Sequence, residues 1–164
     1  MTTRAEVPPL RLEPMTEDGY DRYRAGSEAG YVDSIVASGS MPRAEAEEKA
    51  RADLRRLLPD GPRTAGHHFW TLHDDGAGVE VGILWLHVET KSDGRHAFVY
   101  DVEVHEGLRR RGYGRGIMQA VDRWCREARV ATVGLNVFGH NTGARALYEE
   151  MGYQVTSVQM RKFL

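Results

Sequence analysis

Apolar positions along the chain change period partway. Leu10 and Leu12 alternate with polar residues before Pro14, so "LRLEPMT" predicts a first strand. Thr16 stands where a helix N-cap belongs, with Tyr20 and Tyr23 following it. "GYVDSIVASG" continues this helix, or forms a bent helical pair with it, and Gly39 ends it. Pro42 starts a further helix, "PRAEAEEKARADLRRLL", which Pro59 stops. Its apolar anchors are Leu54, Leu57 and Leu58, and the rest reads as a solvated charged face.

After "PDGPRT" the period falls to that of strands. "HHFWTLH" and "VEVGILWLHVE" predict two strands joined by the turn "DDGAG", and "GRHAFVYDVEVHE" predicts a third after the turn "KSDG". "RGIMQAVDRWCREAR" returns to helical spacing, with Ile117, Val121, Trp124, Cys125 and Ala128 on one face. The strand "ATVGLNVF", the helix "NTGARALYEEMG" closed by Gly152, and a last strand "YQVTSVQMRKF" complete the chain. The order β, α, α, β, β, β, α, β, α, β is that of a layered α/β (α+β) domain. Residues 1–164 read as one domain, with residues 1–8 as a flexible leader. Trp70 and Trp85 belong to the strand core, and Cys125 reads as a buried inert thiol.

Composition narrows the classes. An apolar fraction of 41% and a charged fraction of 28% are those of a globular domain, and no run approaches the length of a membrane span. A net charge of −2 argues against a wholly cationic nucleic-acid binder. The single cysteine excludes an internal disulfide and favours a reducing, cytoplasmic setting. His67, His68 and His73 lie on strands and a turn without a ligand set, so no metal is expected.

One stretch stands apart. "LRRRGYGRG" places Arg109, Arg110, Arg111 and Arg115 among Gly112, Gly114 and Gly116, between a strand and a helix. Glycines let the backbone approach a ligand closely, and the free amides of the helix start point at the same loop. With flanking arginines, such a loop suits a pyrophosphate. The Walker pattern lacks its lysine here, and the dinucleotide fingerprint fails at Ile117. A nucleic-acid patch remains an alternative use of the arginines, with only Tyr113 interleaved.

The pattern that fits is [QR]xxGx[GA], as Arg109-Arg110-Arg111-Gly112-Tyr113-Gly114, after a strand ending "DVEV". Downstream, Asn141, Ala144, Leu147-Tyr148 and Gly152-Tyr153 follow NxxAxxLYxxxGY. Together these resemble the GNAT superfamily of acyl-CoA-dependent N-acetyltransferases, closely over residues 96–160 and elsewhere in element order alone. The resemblance implies a mixed, strongly twisted sheet with helices on both faces. It implies acetyl transfer from acetyl-CoA to a small-molecule or peptide primary amine, by direct attack in a ternary complex. Neither a metal nor a membrane is implied, and a homodimer is compatible with it. A GNAT-shaped module that binds acyl-CoA without turnover is the runner-up.

By the same resemblance, the amides of Arg109, Arg110, Arg111, Gly112, Tyr113, Gly114 and Arg115 would cradle the pyrophosphate. The main chain of Val102 and Val104 would pair with the pantetheine arm, Asn141 would bond that arm, and Tyr148 would protonate the leaving thiolate. The Val104 amide is the natural oxyanion donor. Freeing a lysine-like amine of its proton at pH 7 costs roughly 4.6 kcal/mol, against about 1 for an α-amine. A base or water relay is therefore expected. Asn136 stands where one branch of the family carries a glutamate, so that branch's base is missing. Glu103, beside the expected gap between strands, is the first candidate base. Asp101 on the same strand face is second, and Asp33 and Glu28 follow.

Overall fold

The computed structural model describes residues 8–164, so the expected leader lies outside the described residues except for Pro8. Five strands, β1 (Arg11–Pro14), β2 (His67–Asp74), β3 (Val79–Lys91), β4 (Gly94–Val104) and β5 (Val130–Leu135), form one sheet in the order β1-β2-β3-β4-β5. The first three pairings are antiparallel and β4–β5 is parallel. Among the described residues four α-helices, α1 (Glu17–Ala37), α2 (Arg43–Leu57), α3 (Tyr113–Glu127) and α4 (Thr142–Glu150), accompany the sheet.

Strand alternation divides the core between the two sheet faces. Trp70, Leu72, Leu84, Leu86, Ala97 and Val99 pack against Ile117, Met118 and Val121 of α3 and Tyr148 of α4. Phe69 and Trp85 turn the other way, onto Tyr20 of α1 and Leu54 and Leu58 at the end of α2. Helices therefore cover both faces, as expected. Each fully buried aliphatic side chain contributes roughly 1.5–3 kcal/mol. The inner face of α3, with Ile117, Met118 and Val121 sealed from solvent, is thus a principal support of the loop before it.

The first helix is a single element rather than a bent pair. Thr16 Oγ1 accepts the Gly19 amide at 3.1 Å, and the helix runs unbroken through Gly26 and Gly30, both facing open space. Gly39, at φ +69°, ends it. The solvated face expected for α2 needs correction. Ala46 and Ala50 are sealed against Val32 and Ile35 of α1. Small side chains let the two helices approach, a role that their low hydrophobicity concealed.

Two strand expectations fail at the end of the chain. β5 stops at Leu135, so Asn136, Val137 and Phe138 leave the sheet. "YQVTSVQMRKF" is not a strand at all. Gly152, at φ +94°, turns the chain, Tyr153 packs back on Tyr148, and residues 154–164 are exposed. Alternation states a preference for a sheet face, but a strand forms only where a neighbouring edge pairs with it.

Gly82 marks the tightest approach in the sheet. A Cβ there would sit 2.0 Å from the Glu103 carbonyl oxygen and 3.1 Å from Ile117 Cδ1. Gly82→Ala is expected to destabilise the fold by about 1–3 kcal/mol through overpacking, read as a lowered denaturation midpoint.

Candidate active site

The loop between β4 and α3 turns into the helix through two left-handed residues. Arg110 (φ +63°) and Gly112 (φ +90°) both adopt the left-handed region, which curls successive amides toward one side. The first bond into the helix is made by the Gly116 amide to the Gly112 carbonyl at 3.2 Å. The amides of Tyr113, Gly114 and Arg115 precede that bond and have no partner within the helix. Tyr113 itself is anchored elsewhere. Its hydroxyl donates to Asp74 Oδ2 at 3.0 Å, while Asp74 Oδ1 accepts the Ala77 amide in the β2–β3 turn. That buried aspartate, not singled out in the sequence, fixes where α3 begins.

The arginines divide their work. Arg109 folds back onto β4, donating from Nε to the Val104 carbonyl at 3.1 Å, with Nη2 3.8 Å from Glu103. Arg115 pairs with Glu150 of α4. Arg110 and Arg111 stay exposed, and Arg110 Nη1 lies 3.9 Å from the Cβ position of Gly143 at the start of α4. Two of the four charges therefore hold local structure, which leaves less of a continuous cationic patch than the sequence suggests.

β4 and β5 part beyond Val99 and Leu135, while β4 stays paired with β3 as far as Val104. His105 donates its amide to Val81 on the β3 side, so alternation turns the peptide groups of Val104 and Val102 the other way, into the gap. The Val104 carbonyl, taken by Arg109, confirms that direction.

Asp101 sits on the α1 face of β4 and accepts a 2.8 Å hydrogen bond from the Tyr23 hydroxyl. Burial raises its carboxyl above the ordinary range, and the bonds from Tyr23 and Ser27 only partly oppose this. Burial also raises the Tyr148 hydroxyl, with the Asp101 charge as the second cause. The two side chains come from opposite faces of the sheet and are within electrostatic reach of each other. Glu103 lies differently: its side chain is 50% exposed and turned toward Arg109. Asp33 pairs with Arg43 at 2.7 Å, and Glu28 lies 4.0 Å from Arg24, away from the gap. Asn141 caps α4, its side chain accepting the Ala144 amide at 3.2 Å. Tyr23 and Ser27 were missed as site residues. Their i, i+4 spacing on α1 was visible, but nothing in the sequence said which strand that face meets.

Other reactive groups are tied up. Cys125 is buried, which pushes its thiol up to about 11. His67 accepts from Trp85 Nε1 at 2.9 Å, and burial lowers it to about 4. Among the described residues no helix is long and apolar enough to cross a membrane.

The profile of the acetyltransferase (GNAT) family matches residues 36–153. The chain belongs to this family. Its enzymes use acetyl-CoA, and this chain is an acetyltransferase of that kind. It is 33% identical to the N-acetyltransferase YdgE of Bacillus subtilis (strain 168), over 93% of this chain and 97% of that protein. It is 33% identical to the Bacillus subtilis acetyltransferase YycN, over 94% of this chain and 99% of that protein. The crystal structure of YycN superposes on this acetyltransferase with a TM-score of 0.89, covering 94% of this chain and 98% of that one. A GCN5-related N-acetyltransferase from Ralstonia eutropha JMP134 shares the fold at a TM-score of 0.67 and 16% identity, over 94% and 98% of the two chains.

The raised Asp101 carboxyl has a consequence for stability. Its ionised form is disfavoured by the fold, so its contribution falls as pH rises through the ordinary carboxylate range toward the raised value. Asp101→Asn removes that penalty while keeping an acceptor for Tyr23. The acetyltransferase carrying it is expected to melt higher than wild type at pH 7 and to lose the advantage at low pH, as read by thermal denaturation at both pH values.

Proposed function

We propose that this acetyltransferase moves the acetyl group of acetyl-CoA to a primary amine by direct attack in a ternary complex, with Asp101 as the base and Tyr148 as the acid. The observation that supports this reading is that Asp101, buried against Tyr23 on β4 just beyond the parting of β4 and β5, lies near enough for its charge to raise the Tyr148 hydroxyl. An acid and a base of opposite task are both required there, because the amine must lose a proton and the leaving thiolate must gain one.

The residues present fit acetyl-CoA. Unpartnered amides at the start of α3, the left-handed Arg110 and Gly112, and the exposed Arg110 and Arg111 match a pyrophosphate. The peptide groups of Val102 and the amide of Val104 match an extended polar arm running along β4, while Asn141 has its Oδ1 engaged in capping α4. Acetyl-CoA, when bound, supplies an acetyl group activated as a thioester.

The chain supplies the proton handling. A carboxyl raised by burial lies closer to neutral pH than an ordinary one and is a better base. Tyr23 orients it from α1. Tyr148, raised in turn, stays protonated at neutral pH and keeps its proton available for the thiolate. Asp101 thereby takes the base role in preference to Glu103, whose carboxylate faces solvent and Arg109. The amide of Val104, turned away from β3, would donate to a developing oxyanion.

Thiol release from acetyl-CoA, measured over a panel of primary amines, tests this reading. Tyr148→Phe is expected to lower kcat by about 10²–10⁴-fold with acetyl-CoA affinity unchanged. Asp101→Asn should do the same for amines of high pKa, while Glu103→Gln stays near wild type. A Tyr148→Phe enzyme with full kcat, in a reaction limited by chemistry, would remove the acid assignment. Saturable acetyl-CoA binding without turnover of any amine would instead leave a non-catalytic binding module.

The phosphate cradle has its own test. Gly112→Asp sets a carboxylate among the curled amides, and acetyl-CoA binding by calorimetry is expected to weaken by about tenfold or more, a loss of about 1.4 kcal/mol. Unchanged affinity in a variant that still folds would place the pyrophosphate elsewhere.

A further inference from the structure

We propose that the ring column ending at Tyr100 is the acceptor subsite, and that the acceptor is a small primary amine whose uncharged aromatic ring stacks on Tyr100. This rests on the reading of Asp101 as the base. The column crosses the sheet one strand at a time. Phe69 of β2 stacks on Trp85 of β3 at 5.3 Å and 25°, and Trp85 stacks on Tyr100 of β4 at 4.6 Å and 20°. Tyr20 of α1, with Leu54 and Leu58 at the end of α2, buries the first two rings. Tyr100 stays 37% exposed. The next place in the column would belong to β5, but β4–β5 pairing ends at Val99 and Leu135, one residue short of Tyr100. A planar group there continues the stack into the gap.

The same register sets the base beside the ring. Trp85 pairs with Asp101 and Leu86 with Val99, so Tyr100 is the extra residue of a bulge, a device that re-aims side chains. Tyr100 on Trp85 and Asp101 on Tyr23 therefore both stand on the α1 side of β4. Consecutive Cα atoms lie about 3.8 Å apart, so a ring at Tyr100 and an amine at Asp101 belong to one small molecule with a short linker.

The surroundings select an uncharged ring. Phe98 stands edge-on to Tyr100 at 4.9 Å, and its partner in register on β5 is Gly134, which has no side chain to cover it. His67, 5.8 Å from Tyr100, accepts from Trp85 and is kept neutral by burial. The charges that act on the Tyr100 hydroxyl are Arg56 and Glu89, which are opposite in sign. Each already has a partner, Asp53 at 3.3 Å and Lys91 at 2.7 Å, so a charged substituent on the ring meets no free counter-ion in either.

Steady-state acetylation of 2-phenylethylamine and 2-cyclohexylethylamine by the wild type, Tyr100→Leu and Tyr100→Trp tests the proposal. The two amines share a linker and differ in the flat ring. The wild type is expected to favour the phenyl amine in kcat/KM by about fivefold, through KM. Tyr100→Leu, which keeps apolar bulk, should bring the ratio close to one, and Tyr100→Trp should retain the preference. Equal use of both amines by the wild type, or a preference that survives in Tyr100→Leu, overturns the proposal. Calorimetry of 2-phenylethylamine with the CoA-saturated protein separates this from the base assignment. Binding that Tyr100→Leu weakens about fivefold, without turnover, supports the subsite and defeats the acid–base pair. Turnover of alkylamines with no binding of the phenyl amine does the reverse. Light scattering covers the remaining case: a Tyr100→Leu protein that changes oligomeric state but binds the amine as before would make the rings a contact between copies, which also overturns the proposal.

Discussion

Parallel pairing between β4 and β5 ends at Val99 and Leu135, while β4 continues to Val104 against β3. One strand thus has two neighbours over its first half and one over its second. A strand in a sheet normally spends its peptide groups on both sides. Where the neighbour departs, those of Val102 and the amide of Val104 lose their partner strand, while the Val104 carbonyl is taken by Arg109. Asp101 lies on the α1 side of this parting and Tyr148 on the α4 side, and the Asp101 charge adds to burial in raising the Tyr148 hydroxyl.

The rest of the fold maintains this divergence. β5 is short because Asn136 to Phe138 leave the sheet toward α4, which Asn141 caps. The start of α3 is held by the Tyr113–Asp74 hydrogen bond, which ties the arginine-glycine loop to the β2–β3 turn. Gly82 allows β3, β4 and α3 to approach at the base of the site, where no Cβ would fit. α1 contributes Tyr23 to Asp101 because Ala46 and Ala50 of α2 let the helical pair lie close together over the sheet.

Much of this was legible in the chain itself. The α3 face of Ile117 and Val121, the glycine-rich loop before it, and the strands around Trp70 and Trp85 all follow from local periodicity and from residue types that act over a few positions. The Asn141-to-Tyr153 pattern belongs to the same class, since a cap, a helix face and a glycine terminator are local events. Those elements hold because neighbouring residues alone determine the helical face or the strand alternation.

What only the tertiary structure decided are relations between distant segments. Asp101 and Glu103 share a strand face and are alike in sequence terms. The packing of α1 buries the first against Tyr23 and leaves the second to Arg109 and solvent. Arg109 and Arg115 look like ligand groups in the sequence, yet the fold commits them to Val104 and Glu150. The segment after Gly152 alternates like a strand, but pairing needs an edge brought from elsewhere, and its own chain carries it toward Gly39 instead. Sequence by itself determined which local structures were available and which chemistry the loop could hold. The choice among equivalent carboxylates, cations and strand partners belonged to the tertiary structure, because burial and pairing depend on residues far apart along the chain.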